Sequence, residues 1–380
     1  MTSMINSRRL LDTFMELCAI DAEPTRERAM ADRLTVLLAA LGCTVREDDA
    51  GTRLGGSAGN LYASLPGCGP GETLLFSAHM DRVAPGCGVK PRLEGEYVVS
   101  DGSTVLGGDD VAGLAAVLEG ITVLRERGLS HPPLELLFTV AEELSLLGIE
   151  QFDTAQLVSR CGFVLDAGGP VGEIVVRAPE QVRLSAVIHG RSAHAGICPE
   201  EGLSAIQIAA TAIARMPLMR IDGETTANIG SIRADGPTNI VPERCELCAE
   251  ARSTDPERLA EQVAAMRQAL QAAACEAGGR VEIAERSNYR SYRLDPSAAP
   301  VRRAEQAARQ LGLPVRYRAT GGGSDANVLN ERGIPTVVLC CGFEKVHTCE
   351  ERMPIAQLNA LAAWVVAIAS GAAQELTERA

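Results

Sequence analysis

Three clusters of acids and imidazole sit where apolar patterns of this chain stop or start, and they constrain it more than any other feature. His79-Met80-Asp81 follows the strand-like run Leu74-Leu75-Phe76. Gly107-Gly108-Asp109-Asp110 opens a helical pattern, and Glu142-Glu143 follows the β-type run from Leu134 to Val140. Acids and imidazoles placed at strand ends serve sites more often than packing. The stretch from Leu74 to Glu143 therefore reads as the centre of a metal site.

With 380 residues the chain exceeds one average core, and two domains are expected. Aromatic residues are only 3%, so the interior must be built from Ala, Leu, Val and Ile. A formal charge of −13 argues against nucleic acid and against an anionic membrane surface, since both require a basic face. Asp12 and Glu16 interrupt the apolar stretch near the N-terminus where a signal peptide needs an uncharged run. The apolar run 360–369 around Trp364 is about half the ~20 residues that a membrane span needs, and it reads as a buried helix. Twelve scattered cysteines fit reduced thiols of the cytoplasm better than disulfides. Cys245-x-x-Cys248 has no second such pair and reads as two ordinary thiols.

Apolar spacing predicts helices over 10–17 and 25–41, then β-type pieces leading to His79, a helix over 111–125, and strands over 134–140 and 162–165, the last ending on Asp166. Strands and helices that alternate, with a ligand at successive strand ends, describe an α/β domain. From 182 the order changes. A strand (182–188), a helix (203–216), two strands (227–233 and 245–251), a long Ala-rich helix (256–277) and a last strand (281–284) give a ferredoxin-like βαββαβ unit inserted into the first domain. The chain then returns through helix 301–311, the Gly321-Gly322-Gly323 loop, helix 326–331, strand 336–340, a loop bearing His347 and a closing helix over 358–369. The expected division is 1–180 with 295–380, and 181–294. The glycine loop lacks the Gly-Lys-Ser/Thr of a phosphate loop, which argues against nucleotide binding.

His79, Asp109, Glu143, Asp166 and His347 have ligand chemistry and strand-end or loop positions. Five ligands are too many for one closed tetrahedral zinc, but they suit two ions that share a short anionic bridge, here Asp109. Asp81 lies two residues beyond His79, on the same side of an extended backbone, and is expected to take the imidazole N–H. Of the neighbours Glu142 and Glu143, one can bind metal while the other serves as general base.

In combination these motifs resemble the peptidase T-like tripeptidases of the dizinc family that also holds aminoacylases and desuccinylases. The resemblance rests on Ser77-Ala78-His79-Met80-Asp81, Leu106-Gly107-Gly108-Asp109-Asp110, Ala141-Glu142-Glu143, Leu165-Asp166, Gly190-Arg191-Ser192-Ala193-His194, Thr238-Asn239-Ile240-Val241-Pro242 and Gly322-Gly323-Ser324-Asp325. It covers nearly the whole chain. It implies a zinc-peptidase domain with a mixed sheet flanked by helices, and an inserted lid that also makes a homodimer. It implies two Zn²⁺ per chain, with Co²⁺ or Mn²⁺ as substitutes. His79, Asp109 and Asp166 would hold one ion, and Asp109, Glu143 and His347 the other. Glu142 would be the general base, with Asp81 in the catalytic site beside His79. His194 and Asn239 would reach the scissile carbonyl, and Arg252 a terminal carboxylate. A cis peptide is implied between Asp109 and Asp110. Val111 departs from the Lys that such sequences often carry there, without touching a ligand. The expected activity is release of the N-terminal residue from short peptides. The rival is hydrolysis of N-acyl amino acids, and a binding protein without catalysis on the same scaffold is disfavoured because Asp81, Glu142 and all five ligands occur together.

Overall fold

The structure is a computed structural model, and it describes residues 4–371. Two compact units emerge. One comprises the chain up to Arg177, Arg293–Ala319 and the chain from Ser324 onward; the other comprises Ala178–Tyr292 with Thr320–Gly323.

The first unit is built on a nine-stranded mixed sheet. In order, its strands are Thr44–Glu47, Leu61–Leu65, Leu134–Thr139, Leu74–His79, Gly162–Ala167, Thr336–Cys340, Glu173–Ala178 and Tyr292–Arg293, with Arg316–Ala319 beside Glu173–Ala178. Leu74–His79 is parallel to both Leu134–Thr139 and Gly162–Ala167, and Thr336–Cys340 is parallel to Gly162–Ala167. Every residue of Leu74–His79, Leu134–Thr139 and Thr336–Cys340 is buried. Parallel strands covered on both faces need such continuous apolar runs, which is why these segments show no alternation in sequence. Parallel pairing also sends the carboxyl ends of the central strands to one edge of the sheet, and the acid and imidazole clusters follow those ends.

Helix Gly108–Arg127 is buried around nearly its whole circumference and packs against the central strands and against helix Ile355–Ser370. The latter contains the 360–369 run, with Trp364 fully buried and its indole N–H donating to the Ala304 carbonyl at 2.9 Å. Among the described residues no helix is long and apolar enough to cross a membrane. The second predicted helix begins at Arg28 rather than 25, because Thr25 takes a left-handed φ of 69°. A small sheet of Arg92–Glu94, Tyr97–Val99 and Arg352–Pro354 was not legible, since Arg92–Glu94 is wholly exposed and carries no apolar alternation.

The second unit is a five-stranded antiparallel sheet in the order Met219–Arg220, Thr225–Arg233, Arg244–Ser253, Glu180–His189 and Arg280–Tyr289. Helices Ala205–Arg215 and Pro256–Ala277 pack on it, and Arg244–Ser253 alternates buried and accessible residues as a half-covered strand must. Cys245 and Cys248 are three residues apart on this strand and so face opposite sides; all twelve cysteines are free. At Gly323 any side chain would overlap the ring of Tyr289, whose nearest atom lies 2.3 Å from a Cβ built there.

Candidate metal centre

His79 ends its strand almost fully buried. Its Nε2 lies 3.2 Å from Asp109 Oδ1 and 3.6 Å from Asp166 Oδ1. The second imidazole, on the half-exposed His347, has its Nε2 3.4 Å from Asp109 Oδ2 and 3.0 Å from Glu143 Oε1. His79, Asp109 and Asp166 thus form one group, and Asp109, Glu143 and His347 another; within each, the ligand atoms lie within 4.8 Å of one another. Asp109 belongs to both, turning one carboxylate oxygen to each imidazole. All five side chains expected as ligands are gathered here.

The backbone beneath these groups is unusual. The Asp109–Asp110 peptide is cis, as the resemblance implied. Asp110 is fully buried, and its Oδ1 accepts the Gly113 N–H at 3.1 Å and its Oδ2 the His79 N–H at 3.3 Å. Gly113 must lack a side chain, since a Cβ would sit 2.6 Å from Asp110 Oδ1 and 2.7 Å from the Leu165 carbonyl.

Asp81 corrects one expectation. The His79 Nδ1 partner is the Asp81 backbone carbonyl at 2.9 Å, while the Asp81 carboxylate stands 3.6 Å away. That carboxylate instead accepts the N–H groups of Glu142 at 3.0 Å and Glu143 at 3.1 Å, one on each oxygen. Side-chain direction along an extended strand suggested the imidazole; the two unpaired amides of the short turn Glu142–Leu144 claim the carboxylate because nothing else buried can satisfy them. The preceding amide, of Ala141 with φ 49°, goes to Glu27 Oε1 at 3.0 Å. Two buried carboxylates therefore hold three successive amides and fix the turn from which Glu142 and Glu143 project. Glu27 was missed in the sequence because it lies in a polar stretch of no recognisable pattern.

Electrostatically the cluster holds more acid than its two imidazoles can balance. Burial, the largest influence on Asp109, raises its pKa, yet hydrogen bonds from His347 and His79 outweigh it and hold the carboxyl below the usual range. Burial pushes Asp166 up to about 8 against the opposing bond from His79. Glu142 and Asp110 are raised well above the carboxylate range by burial and then by the charge of Asp166. His347 is raised to about 10 by its bonds to Asp109 and Glu143. Buried carboxyls crowded by one another are what a divalent cation relieves, and a set of two imidazoles and three carboxylates is good transition-metal donor chemistry. The residues fit two ions.

In the second unit, the His194 and Asn239 segments lie together. His194 bridges to Ile240, and the Ala195 N–H donates to the Asn239 carbonyl at 2.9 Å. Arg252 turns its guanidinium onto Glu250, with Nε 2.8 Å from Oε1 and Nη2 3.1 Å from Oε2.

Comparison with known proteins finds relatives along nearly the whole chain. The model of Peptidase family M20/M25/M40 matches residues 75–371. An uncharacterized protein of Bacillus subtilis (strain 168), YqjE, is 45% identical over 98% of this chain and 100% of its own length. Two solved structures are similar throughout. Aminopeptidase PepT from Bacillus cereus ATCC 10987 has a TM-score of 0.87 and 44% identity, covering 97% of this chain and 99% of its own. A tripeptidase from Staphylococcus aureus has a TM-score of 0.92 and 42% identity, covering 98% and 100%. A family match over most of the chain, with relatives alike from end to end, makes this protein a member of Peptidase family M20/M25/M40.

Proposed function

We propose that this protein is a two-metal exopeptidase that removes the N-terminal residue of short peptides, tripeptides above all, with zinc as the resident metal. The observation that carries the reading is Asp109, which offers one oxygen to each of two imidazoles, each imidazole having a further carboxylate of its own. The likeness to an aminopeptidase and a tripeptidase at over 40% identity supports the substrate class.

On this reading His79, Asp109 and Asp166 hold one ion, and Asp109, Glu143 and His347 the other. When bound, the pair supplies Lewis acidity to the scissile carbonyl and acidifies water. Glu142 takes the proton of the attacking water and delivers it to the leaving amine. Its buried, acid-crowded setting suits a carboxyl that must hold a proton between those two events. Asp81 and Glu27 keep the turn of Glu142 in place. His194 and Asn239 are assigned to the carbonyl oxygen of the substrate, and Arg252 to its terminal carboxylate.

The test is a matched substrate series with metal-replete protein: a free-amino tripeptide, a dipeptide and an N-acetyl amino acid. The tripeptide is expected to be cleaved fastest. Faster turnover of the N-acetyl amino acid would transfer the chain to the amidohydrolase reading. Arg252 is checked separately by amidating the tripeptide. A charge-assisted contact is worth about 1.5–3 kcal/mol, so amidation should lower kcat/KM about 10- to 100-fold in the wild type and hardly at all in Arg252→Met. Equal penalties in both would return Arg252 to a structural pair with Glu250.

A further inference from the structure

Glu351 lies outside both ligand groups, yet it is only 2% exposed. Its Oε2 accepts the Gly107 N–H at 2.7 Å and its Oε1 accepts the Asp109 N–H at 3.0 Å. These amides stand at the start of helix Gly108–Arg127, where the N-cap residue is Gly107 and has no side chain to receive them. Glu351 also belongs to the loop of His347: its own N–H donates to the Thr348 carbonyl at 3.0 Å, closing the turn that follows the imidazole. His347 sits in that loop with a left-handed φ of 61°, a conformation that a non-glycine residue keeps only when its surroundings hold it.

One carboxylate thus ties the backbone of the shared ligand Asp109, 242 residues away in sequence, to the segment that carries His347. Glu143, the third member of that group, is anchored independently through Asp81. The other group draws on Asp109 as well, but its remaining members His79 and Asp166 stand on neighbouring sheet strands that Glu351 does not touch. We propose that Glu351 is a positioning residue that sets the spacing of Asp109 and His347, and so governs the affinity of the Asp109, Glu143 and His347 site for its ion. The proposal rests on the two-ion reading above. It does not make Glu351 a ligand or a participant in proton transfer.

The test is titration of metal-free protein with Zn²⁺, resolving two dissociation constants, with His347→Ala identifying which constant belongs to the His347 site. Glu351→Gln keeps the shape of the side chain while removing its charge and one acceptor oxygen. It is expected to weaken the His347 site about 10- to 100-fold, the usual effect of removing an outer partner of a metal ligand, with the other site changed less than about threefold. Gly108→Ala supplies a second variant, because a Cβ there would press on Glu351 Oε1 at 3.1 Å. It should weaken the same site in the same selective way, and it decides the matter alone if Glu351→Gln does not fold. Both constants unchanged, or both weakened by the same factor, overturns the assignment. A wild-type protein that binds a single ion overturns the two-ion reading itself, and the wild-type titration, run first, separates that failure from the failure of Glu351.

Discussion

Glu142→Gln is expected to keep both ions and to lower kcat about 10²- to 10⁴-fold, the range for losing a general acid–base group. Glu142 belongs to neither ligand group, whereas its neighbour Glu143 lies 3.0 Å from His347 within one of them. The turn that carries both is held through the backbone: Asp81 takes both amides and Glu27 takes that of Ala141, so an amide side chain at position 142 leaves the scaffold unchanged. Glutamine can still hydrogen-bond, but it cannot carry a proton from water to the leaving amine. Glu143→Gln should behave in the opposite way, losing affinity for the ion of the His347 group before it loses intrinsic rate. Steady-state kinetics and metal content on both variants make the comparison. Equal metal loss in the two would mean that the roles of these neighbours have been divided wrongly.

The contrast between Glu143 and Glu27 explains what a sequence of this kind discloses. Candidate ligands that sit at the ends of apolar strands announce themselves, because the strand pattern supplies a direction and the residue type supplies the chemistry. His79, Glu143 and Asp166 were legible for that reason, Asp109 for opening a helical pattern after two glycines, and His347 for its place in a loop after the last parallel strand. The α/β architecture followed from the same continuous apolar runs. Residues that hold the candidate ligands in place carry no such signal. Glu27 reaches Ala141 across 114 residues and Glu351 reaches Asp109 across 242. Each satisfies backbone amides, a task that any buried carboxylate can perform from any part of the chain. Asp81 shows the same limit at short range: its position beside His79 was read correctly, but its carboxylate answers to amides 61 and 62 residues away. Local direction decides where a side chain starts, and the demand for buried hydrogen bonds decides where it ends.

Removing the metals should abolish activity and also reverse the ordinary dependence of stability on pH. In the metal-free protein, burial raises Asp166 to about 8 and Asp325 to about 6, and it raises Glu142 and Asp110 well above the carboxylate range. His347 is raised to about 10 by Asp109 and Glu143. Each of these groups binds its proton more tightly folded than unfolded, so the stabilisation is complete below the unfolded pKa and is lost as pH climbs to the folded one. For Asp166 that window runs from about pH 4 to about pH 8, for Asp325 from about pH 4 to about pH 6, and for His347 from about pH 6.5 to about pH 10, while Glu142 and Asp110 add in the same direction. Asp109 has the opposite sign, being held below its usual range, but its contribution is lost only under acid conditions beneath that window. The metal-free protein should therefore melt at progressively lower temperature from about pH 5 to about pH 9. Ions bind the deprotonated ligands, so their stabilisation grows over the same range; at a thousandfold excess over Kd it amounts to about 4 kcal/mol. Melting curves of chelator-treated and reconstituted protein across that range test the argument. The gap between the two midpoints should widen with pH, and re-addition of metal should restore activity. A metal-free midpoint that stays level or rises would mean that the buried acids find their countercharge within the protein, leaving no electrostatic demand for two cations at Asp109.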